Sequence, residues 1–226
     1  MKKKNKAIYM LFLMPFVYFA TACFVVWLVK TSGIYPSGSD TMYHVYRGDY
    51  VYNAIKSGNW YPLYDPAWYN GVEILRYWSP FPAYVMAFCQ YLAGGSQFGA
   101  YLFYIGGVCF LGACVWPFIG RGFNRPYLGA FIGLLWFFMP NNLCAIFIEG
   151  NLARSLSMIF LPVFIYSVYK YLYNHKLRYI PLMVFTFLLM ELCHLGYAGM
   201  VAIAVIIYGI VYIIQKGRKK AVLDVV

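Results

Sequence analysis

The sequence predicts an all-α integral membrane protein with about six transmembrane helices, or seven if a short apolar run also crosses. Two observations support this fold class. The chain is 63% hydrophobic, 11% charged and has a mean hydropathy of +0.63, which leaves too little polar material for the surface of a soluble domain. Its basic residues stand at the ends of long apolar runs, as they do in membrane proteins with positively charged cytoplasmic loops. We treat residues 1–226 as a single transmembrane domain.

The predicted helices lie in apolar runs at 7–29, 80–120, 126–172 and 179–215. The first run is too long for a typical signal-peptide core and no small-x-small cleavage site follows it, so we interpret it as a retained span. In the second run, 97–120 is long enough to cross, whereas 80–93 is short and is predicted to lie at the interface. The third run is long enough for two crossings, with a polar break at Glu149-Gly150-Asn151. The fourth breaks between Glu191 and His194.

The charge pattern predicts the orientation of these helices. With a cytoplasmic N-terminus and one crossing within 80–120, every later basic link and the C-terminus fall in the cytoplasm, and the 31–79 loop is external. The net charge of +11 then reflects membrane topology, and we expect no nucleic-acid partner. This topology also places a set of ionisable side chains on the outer side, which suggests one site there. They are Asp40, His44, Glu149, Arg154, Glu191 and His194.

The external loop is the most polar part of the chain, with four of its seven acidic residues: Asp40, Asp49, Asp65 and Glu73. An interfacial amphipathic helix is predicted near 39–57. Tyrosines at 43, 46 and 50 form one face, and Asp40, His44 and Arg47 form the other at helical spacing. Such a helix would lie along the membrane surface.

Local sequence leaves several roles open for these side chains. Ser37-x-x-Asp40 matches a capping box, so Asp40 could serve the helix terminus instead of chemistry. His44 alone would be an ordinary interfacial imidazole, and Arg47 could pair with lipid phosphate. The aromatic residues that follow, Trp60 and Tyr77 among them, could be interfacial anchors or a platform for a sugar or a lipid tail.

The order of motifs resembles the beginning of GT-C type membrane glycosyltransferases. The motifs are Asp40-x-x-x-His44, Gly58-Asn59-Trp60-Tyr61-Pro62, Gly71, Tyr77-x-x-Pro80, Glu149-Gly150-Asn151-Leu152-Ala153-Arg154, Leu161-Pro162 and His194. Over most of residues 1–215 the chain is most similar to the bacterial multi-span proteins called 6-pyruvoyl-tetrahydropterin synthase related, a name that implies no pterin chemistry here.

The resemblance implies transfer of a sugar from a polyprenyl-phosphate donor to a cell-envelope acceptor on the outer face, with Asp40 as the catalytic base. A carboxylate would take the proton of the acceptor hydroxyl, and cations would stabilise the departing phosphate. His44, Arg47 and Arg154 are the candidates for that phosphate. Further candidates for lining the site are Asp49, Glu149, Asn151, Glu191, His194, Trp60 and Tyr77. No cofactor is expected, and no metal, because the loop has no adjacent acidic pair.

Two other function classes remain open from the sequence. The chain could be a non-catalytic assembly or accessory subunit with a GT-C-like fold, or a transporter or flippase of lipid-linked glycans, which use polar breaks in spans as substrate sites. GT-C enzymes are commonly longer, so a further C-terminal region or a partner subunit could complete the site. The expected partners are the lipid bilayer and a polyprenyl-phosphate-linked sugar.

Overall fold

The computed structural model describes the backbone of residues 2–216 and the side chains of residues 12–215, and its regular structure there is helical throughout. The helices are α1 (Lys2–Ser32), α2 (Thr41–Lys56), α3 (Phe81–Leu92), α4 (Gln97–Gly122), α5 (Pro126–Leu135), α6 (Pro140–Leu143), α7 (Leu152–Asn174), α8 (Ile180–Cys193) and α9 (Leu195–Lys216). A 3-10 turn (Trp136–Phe138) and a π-helical segment (Cys144–Ile148) extend the α5 region, and a second 3-10 turn (Leu177–Tyr179) precedes α8.

Within the described residues, five helical stretches are long and apolar enough to cross a membrane: Phe12–Ser32, Gln97–Gly122, Pro126–Ile148, Leu152–Asn174 and Leu195–Gln215. This confirms the predicted all-α integral membrane protein. The stretches in α1 and α9 have only 17% of their residues buried, so most of their apolar side chains face outward, as expected of surfaces in contact with lipid.

The predicted span in the first part of the 179–215 run, before its polar break, is not one of these five stretches. Its helix α8 has 14 residues and is about 21 Å long, shorter than the apolar core of a bilayer. It nevertheless runs antiparallel to α7 along much of its length. Tyr179 Oη lies 3.5 Å from Tyr166 Oη near one end, and Ser157 Oγ donates to the Met190 carbonyl at 3.2 Å near the other. Helix α8 therefore returns the chain to the end where α7 begins.

The main core surrounds α4, which packs against α1, α5 and α7. Buried tyrosines cross this core: Tyr18 Oη donates to the Ala130 carbonyl at 2.8 Å, and Tyr104 Oη donates to the Leu152 carbonyl at 2.9 Å. Each hydrogen bond satisfies a tyrosine hydroxyl that would be costly to bury without a partner. The Tyr104 bond fixes the first residue of α7, near the polar residues of the candidate site.

A smaller apolar cluster holds the polar segment between α1 and α3 in place. Val51 of α2, Ala83 and Ala87 of α3, and Ile74 and Leu75 of the connecting segment are all buried together. The predicted helix near 39–57 is present as α2, and the short run at 80–93 forms α3. The structure turns the His44 and Arg47 face of α2 inward, so the polar face of this helix is a buried face.

Candidate functional site

Three parts of the chain converge where α2 begins. The backbone N–H of Asp40 and the hydroxyl of Ser39 both donate to the Glu149 carbonyl at 3.0 Å, which joins the start of α2 to the segment before α7. At the same end, Asn151 Nδ2 lies 3.3 Å from His194 Nε2, so the start of α7 lies beside the junction of α8 and α9. Residues far apart in sequence therefore share one end of the bundle.

Two glycines allow this approach. A Cβ atom on Gly38 would lie 2.5 Å from the Gly150 Cα, and one on Gly150 would lie 2.6 Å from the Thr41 backbone nitrogen. Both distances are shorter than real Cβ contacts. Gly150 also has φ +67, in the left-handed region that side chains rarely adopt. The close approach therefore favours glycine at both positions, and the left-handed backbone favours it again at Gly150.

Asp40 is the residue before the first turn of α2, and its side chain makes no capping hydrogen bond. The capping-box prediction is therefore wrong, because the helix begins at Thr41 and not after Ser37. The carboxylate instead lies 3.2 Å from Ser39 Oγ, whose proton it shares with the Glu149 carbonyl, and Asp40 lines a surface cleft. Its role at the helix terminus does not occupy its oxygens.

This aromatic cleft has a volume of about 470 Å³. It is lined by Asp40, Tyr43, Trp68, Tyr69, Val72, Ile74 and Trp78. The Tyr43 ring packs edge-on against Trp68 at 5.0 Å between centroids, and its hydroxyl is buried without a hydrogen-bond partner in the described structure. Burial raises the pKa of Tyr43 to about 12, so its hydroxyl is protonated at neutral pH.

The residues Asn151, Arg154 and His194 form a second feature, which we call the polar corner. Asn151 Oδ1 caps α7 by accepting from the Arg154 backbone N–H at 2.9 Å, and His194 Nδ1 accepts from the Tyr197 N–H at 3.0 Å. A neutral imidazole that accepts at Nδ1 carries its proton on Nε2. Asn151 Nδ2 is also a donor, so both groups can donate to an oxygen acceptor placed beside them.

Arg154 contributes a positive charge to the polar corner. Arg154 forms an ion pair with Glu149 at 2.8 Å, and its Nε is buried without a partner in the described structure. Burial lowers the pKa of His194, a backbone hydrogen bond partly offsets this, and the Arg154 charge lowers the pKa further, so the ring is neutral at pH 7. Helices α7 and α9, both more than twenty residues long, begin here, and their N-termini add positive partial charge.

The structure places the two other predicted phosphate ligands behind the wall of the cleft. Arg47 is 2% exposed; its guanidinium donates to the carbonyls of Ile74 at 3.1 Å and Trp78 at 3.4 Å and lies 5.3 Å from the Tyr43 ring centroid. His44 is also buried, and this burial, followed by the Arg47 charge, lowers its pKa to about 3. At these positions Arg47 and His44 support the wall of the cleft from the side facing the protein interior.

Four other candidates are not among the residues that line the cleft or form the polar corner. Asp49 accepts from Gln90 Nε2 at 2.6 Å and so ties α2 to α3, and the Glu191 backbone carbonyl accepts from Ser79 Oγ at 2.8 Å. Trp60 and Tyr77 are 71% and 68% exposed and do not line the cleft. The aromatic residues that do line it, Trp68, Tyr69 and Trp78, were not singled out from the sequence, although they belong to the same aromatic-rich segment.

Comparison with known families bears on the region that forms most of the bundle. A family model for the 6-pyruvoyl-tetrahydropterin synthase related domain, described as a membrane protein, matches residues 75–226. The chain belongs to this family of membrane proteins. The resemblance to that group is thus confirmed, and the chain is a multi-pass membrane protein.

The match includes the polar corner and Trp78, whereas Asp40, Trp68 and Tyr69 lie before it. No curated protein and no solved structure matches the chain. Among the described residues, no group of three or more His, Cys, Asp or Glu side chains is arranged to hold a metal ion.

Proposed function

We propose that this protein is a membrane glycosyltransferase that transfers a sugar from a polyprenyl-phosphate donor to a cell-envelope acceptor, with the 31–79 segment on the outer face. The observation that carries the proposal is the position of Asp40. Its carboxylate lines the aromatic cleft, while its backbone is bonded to Glu149 at the edge of the polar corner. A base, a cleft for an acceptor and donors for an anion therefore adjoin one another.

In the proposed reaction, Asp40 takes the proton of an acceptor hydroxyl as the hydroxyl oxygen attacks C1 of the donor sugar. The bond between C1 and the phosphate oxygen breaks, and the phosphate leaves with the bonding electron pair. Negative charge grows on that oxygen, where hydrogen-bond donors and a cation stabilise the transition state more than the bound donor. The polar corner supplies both kinds of group.

The geometry favours Arg154 over Arg47 for the departing phosphate. Arg154 is partly exposed, with 19% of its side-chain surface accessible. Arg47 is enclosed: its Nη2 donates to backbone carbonyls, and its Nε, like that of Arg154, is buried without a partner in the described structure. In this proposal Arg47 and His44 hold the wall of the cleft, and Arg154, His194 and Asn151 contact the phosphate.

The test is sugar transfer by purified protein in nanodiscs, using a panel of radiolabelled polyprenyl-phosphate sugars and cell-envelope extracts as acceptor. We expect transfer by the wild type to fall by at least about 10²-fold in Asp40→Asn, the scale of losing a general base. Glu73→Gln is the matched control, because this carboxylate in the same segment pairs with Arg76 at the surface. A monodisperse wild type that transfers none of the sugars, or an equal loss in both variants, would favour a non-catalytic subunit or a transporter.

A further inference from the structure

We propose that the aromatic cleft is a carbohydrate subsite, in which a pyranose ring of the acceptor lies against Tyr69 and Trp68 with its hydroxyl groups directed at Asp40 and Tyr43. The assignment of this ring to the acceptor rests on the proposed transferase function. Binding of a pyranose in the cleft does not depend on it, so the two can fail separately.

The floor of the cleft is a rigid platform. Backbone hydrogen bonds of 2.9 Å in both directions between Asp65 and Val72 close residues 65–72 into a loop. Two tyrosines of α2 tie this loop down: Tyr46 Oη donates to Asp65 Oδ2 at 2.5 Å, and Tyr50 Oη donates to the Tyr64 carbonyl at 2.6 Å. A preorganised platform lowers the entropy lost when a ligand binds.

The loop presents an aromatic ring that nothing in the described structure covers. Tyr69 is 85% exposed and stacks on Trp68 with 6.0 Å between ring centroids and 26° between planes. Tyr69 and Asn70 both have left-handed backbones, with φ of 48 and 62. Non-glycine residues in that region are unfavourable, and they persist where the surrounding structure imposes them, often at binding sites.

The polar atoms of the cleft distinguish a sugar from a lipid chain. Asp40 offers carboxylate oxygens, and the Tyr43 hydroxyl is buried with no partner in the described structure. An alkyl chain would remove water from the Asp40 carboxylate and would give no hydrogen bond to either group. A pyranose has an apolar face of C–H groups for the rings and an edge of hydroxyl groups for these two side chains. A volume of about 470 Å³ falls within the range of small-molecule sites.

The position of the polar corner assigns the ring to the acceptor. Asp40 joins the two features, with the cleft at its carboxylate and Glu149 at its backbone nitrogen. A donor whose phosphate occupies the polar corner places its C1 near Asp40, which leaves the cleft for the molecule whose hydroxyl attacks. The base then lies between the two substrates, as deprotonation of the acceptor requires.

The test is saturation-transfer NMR on full-length protein in nanodiscs free of sugar-based detergent. The probes are the methyl pyranosides of glucose, galactose, mannose and N-acetylglucosamine, without donor. We expect saturable binding of at least one probe, weakened about tenfold by Tyr69→Ala, which removes the stacked face. Tyr69→Phe keeps that face and should bind as the wild type does. Tyr61→Ala, an exposed tyrosine in the same segment that does not line the cleft, should have no effect.

Absence of binding by every probe, or equal binding by Tyr69→Ala and wild type, would overturn the subsite. Competitive displacement of the bound glycoside by a polyprenyl-phosphate sugar would assign the cleft to the donor ring and overturn the acceptor assignment. Transfer activity that survives Tyr69→Ala would contradict the subsite alone. Glycoside binding by a protein that transfers no sugar would contradict the proposed function alone.

Discussion

Replacing Gly150 with alanine should loosen the junction between the Asp40 segment and the start of α7. At φ +67 an added side chain costs about 1 kcal/mol in conformational energy. Its Cβ would also lie 2.6 Å from the Thr41 backbone nitrogen, and backbone cannot rotate away as a side chain would. Overpacking of this kind costs about 1–3 kcal/mol, so we expect a total loss of about 2–4 kcal/mol of unfolding free energy.

Gly94 provides the matched control for this prediction. It has φ +65, and nothing lies within 4 Å of a Cβ built on it, so Gly94→Ala carries the conformational cost without the clash. We would follow thermal unfolding in one detergent through the reaction of buried Cys109 and Cys193 with a fluorogenic thiol reagent. The difference between the variants should be about 1–3 kcal/mol, or about 2–4 °C for each kcal/mol in a chain of this length. Equal midpoints would refute the close approach of Gly150 to Thr41.

Three further perturbations test separate parts of the site. Arg154→Gln should lower the kcat/KM for sugar transfer by about 10²-fold or more, because charge on the leaving phosphate loses its cation; an unchanged value would exclude Arg154 from the site. Because burial lowers the pKa of His44 to about 3, the unfolded chain binds a proton below about pH 6.5 that the folded chain excludes. The unfolding free energy should therefore fall by about 1.4 kcal/mol per pH unit below that point, and His44→Gln should remove this part of the slope in thermal midpoints measured from pH 7 to 5. Tyr46→Phe should speed amide hydrogen exchange in residues 64–72, because it breaks the bond to Asp65; protection equal to wild type would show that this bond does not hold the loop.

The sequence predicted α2 but not the direction in which its polar face points. Tyrosines and polar residues at helical spacing are sufficient to predict a helix near 39–57, and the helix spans Thr41–Lys56. A face with His44 and Arg47 normally faces water. Here the Ile74 and Trp78 carbonyls, contributed by a distant segment, accept hydrogen bonds from Arg47 Nη2 and lower the cost of burying it. Local periodicity contains no information about such backbone acceptors.

The same limit explains which aromatic residues were missed. The turn residues around Asn70-Gly71 predicted an irregular segment, and its tryptophans and tyrosines suggested a platform. Which rings face the cleft depends on the Tyr46–Asp65 and Tyr50–Tyr64 contacts, which join α2 to the loop over a sequence distance that no spacing rule covers. Trp68 and Tyr69 therefore line the cleft, while Trp60 does not. Asp40, Glu149, Arg154 and His194 were predictable as a group because topology placed them at one end of the bundle.

The contacts of Glu149 explain why a change at Gly150 should affect catalysis as well as stability. Its backbone carbonyl receives the Asp40 N–H and the Ser39 hydroxyl, while its carboxylate holds Arg154 at 2.8 Å. A single residue thus fixes the distance between the proposed base and the proposed cation. A shift of the segment at Gly150 displaces both groups relative to each other, whereas Arg154→Gln removes one and leaves the other in position. Because a misplacement of about 1 Å can cost about 10²-fold in rate, Gly150→Ala should impair transfer even at temperatures where the variant stays folded.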